Sequence, residues 1–206
     1  MSDGSSTDAV TLAMTGASGA PYGLRLLQML LHAGKRVYLL MSDAAQIVMQ
    51  LEVDIALPTK LSEQKQFLIN RFQADGSQLQ MLGLKEWTAP VASGLGAPNA
   101  MVICPCSTGT LSAIATGVST NLIQRAADVA IKESKQLILV PRETPISAIH
   151  LEHMLSLSRL GVTILPASPG FYHQPKGIDD LIDFVVARIL SQLGVEQSLI
   201  APWGDD

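Results

Sequence analysis

Short apolar runs alternate with longer segments of helical spacing along almost the whole chain, and that alternation leaves few folds open. Val10–Thr15 (VTLAMT), Arg36–Met41 (RVYLLM), Ala100–Cys104 (AMVIC), Gln136–Val140 (QLILV) and Val162–Leu165 each have the length of a strand. Near-continuous apolar strands are buried on both faces, as in parallel sheets. Between them the spacing predicts a helix after Gly23 to about Ala33, then helices over Asp43–Glu52, Ser62–Phe72, Leu111–Ala115, Asn121–Lys132, Ile146–Leu160 and Gly177–Leu193. Such alternation predicts an α/β fold: a parallel sheet with helices on both faces, joined by right-handed crossovers. Pro105, directly after the third run, reads as its breaker. Residues 53–98 are less regular apart from one helix.

A chain of 206 residues supports one good core. We expect a polar, disordered tail over residues 1–9, with no signal peptide, and a single domain over 10–206. Hydrophobic residues make up 48% of the chain, and its mean hydropathy is +0.30. No apolar run approaches the roughly 18 residues of a membrane span. The surplus apolar surface is therefore expected to be covered by other subunits. A net charge of −4 gives no reason to expect nucleic acid. Cys104 and Cys106 stand too close for an ordinary disulfide, and a single Cys-x-Cys is half a metal site at best. Both read as reduced thiols, which places the protein in the cytoplasm.

The loops after the strands carry the chemistry. Gly16-Ala17-Ser18-Gly19-Ala20-Pro21-Tyr22-Gly23 comes after the first strand, and glycines let backbone turn sharply and approach a ligand. Its spacing is not G-x-G-x-x-G, so a mononucleotide phosphate or ring fits better than a dinucleotide. Ser42 either caps the next helix or meets a ligand. Ser107, Thr108, Gly109 and Thr110 stand between a strand end and a helix start, where hydroxyls and free N–H groups cap the helix or hold an anion. Pro141-Arg142-Glu143-Thr144-Pro145 sits at the carboxyl end of a strand, where open α/β sheets bind ligands. A parallel sheet brings all four loops to one edge, and that convergence is a stronger argument than any single loop.

Other residues stand out more weakly. Glu52 ends a helix, where the dipole disfavours a carboxylate. Arg125, Asp128 and Lys132 share a helix face, as a solvated charge ladder would. The small-residue run Pro90–Pro98 reads as a binding or interface loop, and Trp87 before it as a core or interface anchor or a flat wall beside a ligand. Pro166–Pro175 reads as a rigid loop; His150 and His153 read as surface or interface residues, and His173 is a weak candidate ligand contact.

The stretches MTGASGAPYG, PNAMVICPCSTGTLSAIATG, NLIQRAADVAIKE, LVPRETP and PGFYHQP together resemble the flavin prenyltransferase family of the UbiX type. The likeness runs from about Val10 to the C-terminal Pro-Trp. It implies a Rossmann-like three-layer flavoprotein fold and a large homo-oligomer, a dodecamer in typical members. It also implies transfer of a dimethylallyl group from dimethylallyl monophosphate to reduced FMN, with bonding at N5 and then ring closure at C6. The product, prenylated FMN, would serve a decarboxylase of the UbiD type, in ubiquinone synthesis or aromatic acid breakdown.

On this resemblance Gly16, Ala17, Ser18, Ser42, Ser107, Thr108, Gly109 and Thr110 match FMN-contacting positions, with Arg125 nearby and Arg142 close to both ligands. Lys132, Arg142, Tyr172 and Arg188 match the pocket for the prenyl phosphate. Loss of phosphate leaves an allylic cation, and Arg and Lys neutralise the leaving group. Glu143 and Glu52 match acidic positions that would move protons, with Ser18 assisting Glu143. Trp87, Ser93 and Gly94 match the wall beside the allyl group, where a π face stabilises a cation. Asp179-Asp180 lacks the rest of an Asp-rich magnesium motif, so the resemblance implies a metal-independent reaction. Two alternatives stand beside this reading. An FMN-dependent cysteine-peptide decarboxylase of the same superfamily would need an early catalytic His and an Asn-rich loop, where this chain has His32 in mid-helix and STGT. A non-catalytic flavin-binding protein would need one phosphate site, not two.

Overall fold

The computed structural model describes residues 9–201. In chain order the elements are β1 (Ala9–Met14), α1 (Ala20–His32), β2 (Arg36–Met41), α2 (Asp43–Val53), α3 (Leu61–Phe72), β3 (Leu79–Leu82), a 3-10 turn (Pro90–Ala92), β4 (Ala100–Cys106), α4 (Thr108–Ala115), α5 (Leu122–Lys132), β5 (Gln136–Pro141), α6 (Ala148–Arg159), β6 (Thr163–Ile164) and α7 (Ile178–Gln192). The six strands form one sheet in the order β3-β2-β1-β4-β5-β6, and every pairing is parallel. The strand order reverses between β1 and β4, and the crevice outside those carboxyl ends is where such sheets bind ligands. The proposed tail falls on residues 1–8, which lie outside the described residues, and on Ala9, which already belongs to β1.

Successive strand residues point to opposite faces, so each strand feeds two cores. Leu12, Leu39, Val102 and Ile138 face one side, where Leu27, Leu30, Val186 and Ile189 of α1 and α7 cover them. Ala13, Leu40, Ile103 and Leu139 face the other, under Leu111, Ile123, Ala127 and Leu157 of α4, α5 and α6. Helix α5 buries Leu122, Ile123, Ala126, Ala127, Val129 and Ala130, which leaves Arg125 and Lys132 on its outer side. Apolar side chains remain outside these cores, including Ile47 and Leu51 on α2 and Leu151 and Leu155 on α6. Each pair is spaced i, i+4, so each forms a stripe suited to another surface. No described helix is long and apolar enough to cross a membrane.

Three expectations are corrected. Pro105 does not break its strand: β4 runs on to Cys106 with a cis Cys104–Pro105 bond, and its register with β5 shifts between Ile103 and Cys106. Helix α1 starts at Ala20, not after Gly23. Gly19 takes φ 124°, and Pro21 stands in the first turn, where its missing N–H costs nothing. The irregular stretch contains a sixth strand, β3, which is short and bonded to β2 alone; its partner defines it rather than any strong apolar pattern.

Candidate active site

Four strand ends meet at the carboxyl edge of the sheet, as the alternation predicts. After β1 the chain turns through Gly16, where a Cβ would lie 2.6 Å from that of Ala44; α2 therefore packs directly on the turn. Ser42 caps α2, its hydroxyl accepting from the Ala45 N–H, and its own N–H donates to the Met14 carbonyl. Ser107 caps α4 in the same way, accepting from the Thr110 N–H at 3.3 Å and donating to the Thr110 hydroxyl at 3.0 Å. Arg142, just past β5, donates from Nε to the Ser18 carbonyl at 3.0 Å, so the first and fourth loops touch. Glu143 stands beside it, half-buried, with one carboxylate oxygen accepting from the Thr144 N–H.

Glu52 answers the misfit noted in its sequence position. Its carboxylate does not sit idle at the end of α2; it accepts from the Gly19 N–H at 3.1 and 2.9 Å and from the Ala20 N–H at 2.8 Å. It thus occupies the positive N-terminal end of α1, where an anion is favoured. Gly19 and Ala20 offer no capping side chain, and Glu52 supplies it from another helix.

The opening of α4 suits a flat ring and a phosphate. The N–H groups of Thr108 and Gly109, in the first turn, have no intrahelical acceptor. A Cβ built on Gly109 meets nothing within 4 Å, so this turn faces open space at the switch point of the sheet. Small residues, free donors and an open face fit FMN.

The remaining candidates do not all share this edge in a single chain. Lys135 Nζ holds the carbonyls of Gly94 and Ala97, and the Gln136 N–H meets the Asn99 carbonyl, so Ser93, Gly94 and the end of α5 sit near the amino ends of β4 and β5. Lys132 pairs there with Glu133 at 3.0 Å rather than with Asp128, and its ammonium holds the Glu133 carboxyl below the ordinary carboxylate range. Arg125 pairs with Asp128 at 2.8 Å and donates from Nε to the Ala92 carbonyl. Trp87 is no core anchor: 48% of it is exposed, on the loop after β3. Arg188 lines a cleft of about 310 Å³ between β6 and α7. Tyr172 lies edge-on to Phe184, with ring centroids 5.6 Å apart, on the loop before α7. Among the other histidines, His150 bonds Ser147 and His153 bonds Ser112, both at 3.0 Å, and His173 stacks on Phe184.

Two residues at the site escaped sequence reasoning. Thr15, the last residue of the first apolar run, is buried and bonded across to β4. Tyr22 packs beside Gly19; burial raises its phenol pKa, Cys104 adds to the rise and Arg142 opposes it. The only signal for either is its place flanking the glycine turn, Thr15 just before Gly16 and Tyr22 between Pro21 and Gly23. The cysteines are not nucleophiles here. Burial raises both thiols, Cys106 to about 12 and Cys104 further still.

Comparison with known proteins agrees with this fold. The profile of the family described as Flavoprotein matches residues 2–190. A flavin prenyltransferase UbiX from Pseudomonas aeruginosa is 59% identical over 201 residues, 98% of this chain and 96% of that one. The chain belongs to the flavin prenyltransferase family of the UbiX type. Solved members share its fold. The structure of AnUbiX (PadA1) in complex with FMN and dimethylallyl pyrophosphate superposes with a TM-score of 0.83 at 35% identity, covering 95% of this chain and 97% of that one. A dodecameric FMN-dependent UbiX-like decarboxylase from Escherichia coli O157:H7 gives 0.80 at 38% identity, over 92% and 96%. The Rossmann-like flavoprotein fold expected from the resemblance is therefore the family's own.

Proposed function

We propose that the protein transfers a dimethylallyl group from dimethylallyl monophosphate to N5 and C6 of reduced FMN, giving prenylated FMN for a decarboxylase of the UbiD type. The observation that carries this reading is the match to a flavin prenyltransferase at 59% identity over 98% of this chain. Neither the cysteine-peptide decarboxylase nor the non-catalytic alternative has comparable support. The two buried free thiols support a reducing, cytoplasmic setting.

FMN would lie on Gly16, Ala17, Ser18, Ser42 and Ser107–Thr110, its reduced ring supplying the nucleophilic atoms. Arg142 anchors the prenyl phosphate beside Ser18, and Lys132, Tyr172 and Arg188 complete its pocket. Breaking the allylic C–O bond leaves the electron pair on phosphate. Cationic side chains stabilise that charge by about 1.5–3 kcal/mol for each charged hydrogen bond. The Trp87 face stabilises the allyl cation, and Glu143 and Glu52, with Ser18, move the protons released at the acceptor. In one chain Lys132 and Gly94 stand near the opposite sheet edge from Arg142. The complete pocket is therefore assembled between copies of a homo-oligomer, as the dodecameric relative suggests for this chain.

The test is anaerobic incubation with FMN, dithionite and dimethylallyl monophosphate, then mass spectrometry of the released flavin. A gain of one five-carbon prenyl unit supports the reading. Tightly bound but unchanged FMN overturns it, and a gain only with the diphosphate corrects the donor.

A further inference from the structure

Thr15 ties together the two loops that hold the flavin on the reading above, on which this inference rests. The residue is 2% exposed. Its hydroxyl donates to the Pro105 carbonyl at 2.9 Å and accepts from the Ser107 N–H at 2.7 Å. Its own N–H also donates to the Pro105 carbonyl, at 3.1 Å. The donor and one acceptor lone pair of the hydroxyl are therefore engaged within the chain, both on the junction of β4 and α4.

The sheet needs such a bond at this point. The register between β1 and β4 ends at Ala13 and Ile103. Pro105 has no N–H to continue the ladder. Across it, between Ile103 and Cys106, β4 shifts register against β5 before Ser107 caps α4. Without the Thr15 hydroxyl, one backbone bond from the Thr15 N–H to the Pro105 carbonyl would still join the two strand ends, and Ser107, which opens the second turn, would lose its own tie to β1. The half-buried Ser107 amide would also lose its acceptor, and an N–H shielded from water without a partner carries a desolvation cost.

We propose that Thr15 is a positioning residue for flavin binding: a hydroxyl clamp that sets Ser107 and the N-terminus of α4 at the right distance from Gly16–Ser18 before FMN arrives. It touches no ligand itself.

The test measures FMN affinity by quenching of flavin fluorescence, together with the melting temperature, in the full-length oligomer. Thr15→Val keeps the shape and removes the hydroxyl. It should weaken FMN binding about tenfold or more, while Thr15→Ser restores affinity to within about threefold of wild type. Val186→Ala, a core truncation on α7, should lower the melting temperature yet bind FMN as wild type does. The Thr15→Val loss should appear as a raised KM for FMN with an unchanged KM for the prenyl phosphate. Wild-type affinity in Thr15→Val, or equal loss in Thr15→Val and Thr15→Ser, overturns the clamp. Hydrogen exchange on the FMN-free wild type tests it without a variant: the Ser107 amide should be protected, and rapid exchange there overturns the proposal. Wild-type protein that takes up no FMN at all overturns the functional reading instead.

Discussion

Substituting Gly109 by Ala should move stability and flavin binding in opposite directions. Gly109 is the second residue of α4, and a Cβ there meets nothing within 4 Å. The folded chain therefore has room for the methyl group. Ala also costs less backbone entropy than Gly in a helix. The full interior difference is about 0.5–1 kcal/mol, and at this end position roughly 0.5 kcal/mol is expected. For a domain of this size that raises the melting temperature by about 1–2 °C. The same open space is where the flavin should lie. A methyl group inserted into a packed contact costs about 1–3 kcal/mol, so FMN affinity should fall about fivefold or more. Thermal melts of FMN-free protein and fluorescence titrations with FMN measure the two effects on one preparation. A lower melting temperature would show that the space over Gly109 is filled by the chain. An unchanged FMN affinity would show that the flavin lies elsewhere.

Gly23→Ala is the converse case. Its Cβ would press into the Cys104 carbonyl and lie 2.5 Å from Met14 Cε, so α1 must move off β4 by about an ångström; net destabilisation of about 1–2 kcal/mol should lower the melting temperature by roughly 3–6 °C. Glu143→Gln should bind FMN nearly as wild type yet form product at least about 100-fold more slowly in the mass-spectrometric assay, and wild-type turnover would remove Glu143 from the proton transfers. Lys132→Ala should raise KM for the prenyl phosphate about tenfold without changing FMN affinity, and an unchanged KM would place the phosphate elsewhere. Both cysteines should resist a thiol-specific reagent at pH 8 in the native protein and react on unfolding, because each folded thiol pKa lies far above that pH.

Most of the fold was legible because its strands are buried on both faces and carry an unbroken apolar signature. β2 is found where the pattern RVYLLM places it. The failures have separate physical causes. β3 is short, polar at Gln80 and bonded on one side only, so a neighbour defines it more than its own residues do. Pro105 reads as a stop because prolines rarely stand in the middle of a sheet, yet the Thr15 hydroxyl and the shifted register with β5 carry the strand past it. Gly23 reads as part of a turn because glycine is a poor helix former. It lies inside α1 because the helix crosses the Cys104 carbonyl too closely for any side chain.

The candidate site was legible only where backbone topology assembles it. The loops at Gly16–Ser18, Ser42, Ser107–Thr110 and Arg142-Glu143 converge because parallel strands carry their ends to one edge, and strand direction comes from the alternation alone. Glu52 reaches that edge by a route no periodicity shows: α2 runs so that its last turn meets the first turn of α1. Lys132 and Gly94 obey the opposite logic. Helix α5 runs back against the strands, so its C-terminal residues lie by the Gln136 end of β5, where Lys135 holds the Gly94 carbonyl. A pocket that needs both Arg142 and Lys132 then requires a second chain. The apolar stripes on α2 and α6 give that chain somewhere to pack, so on the proposed reading the surplus hydrophobicity of the sequence and a site shared between copies express one requirement.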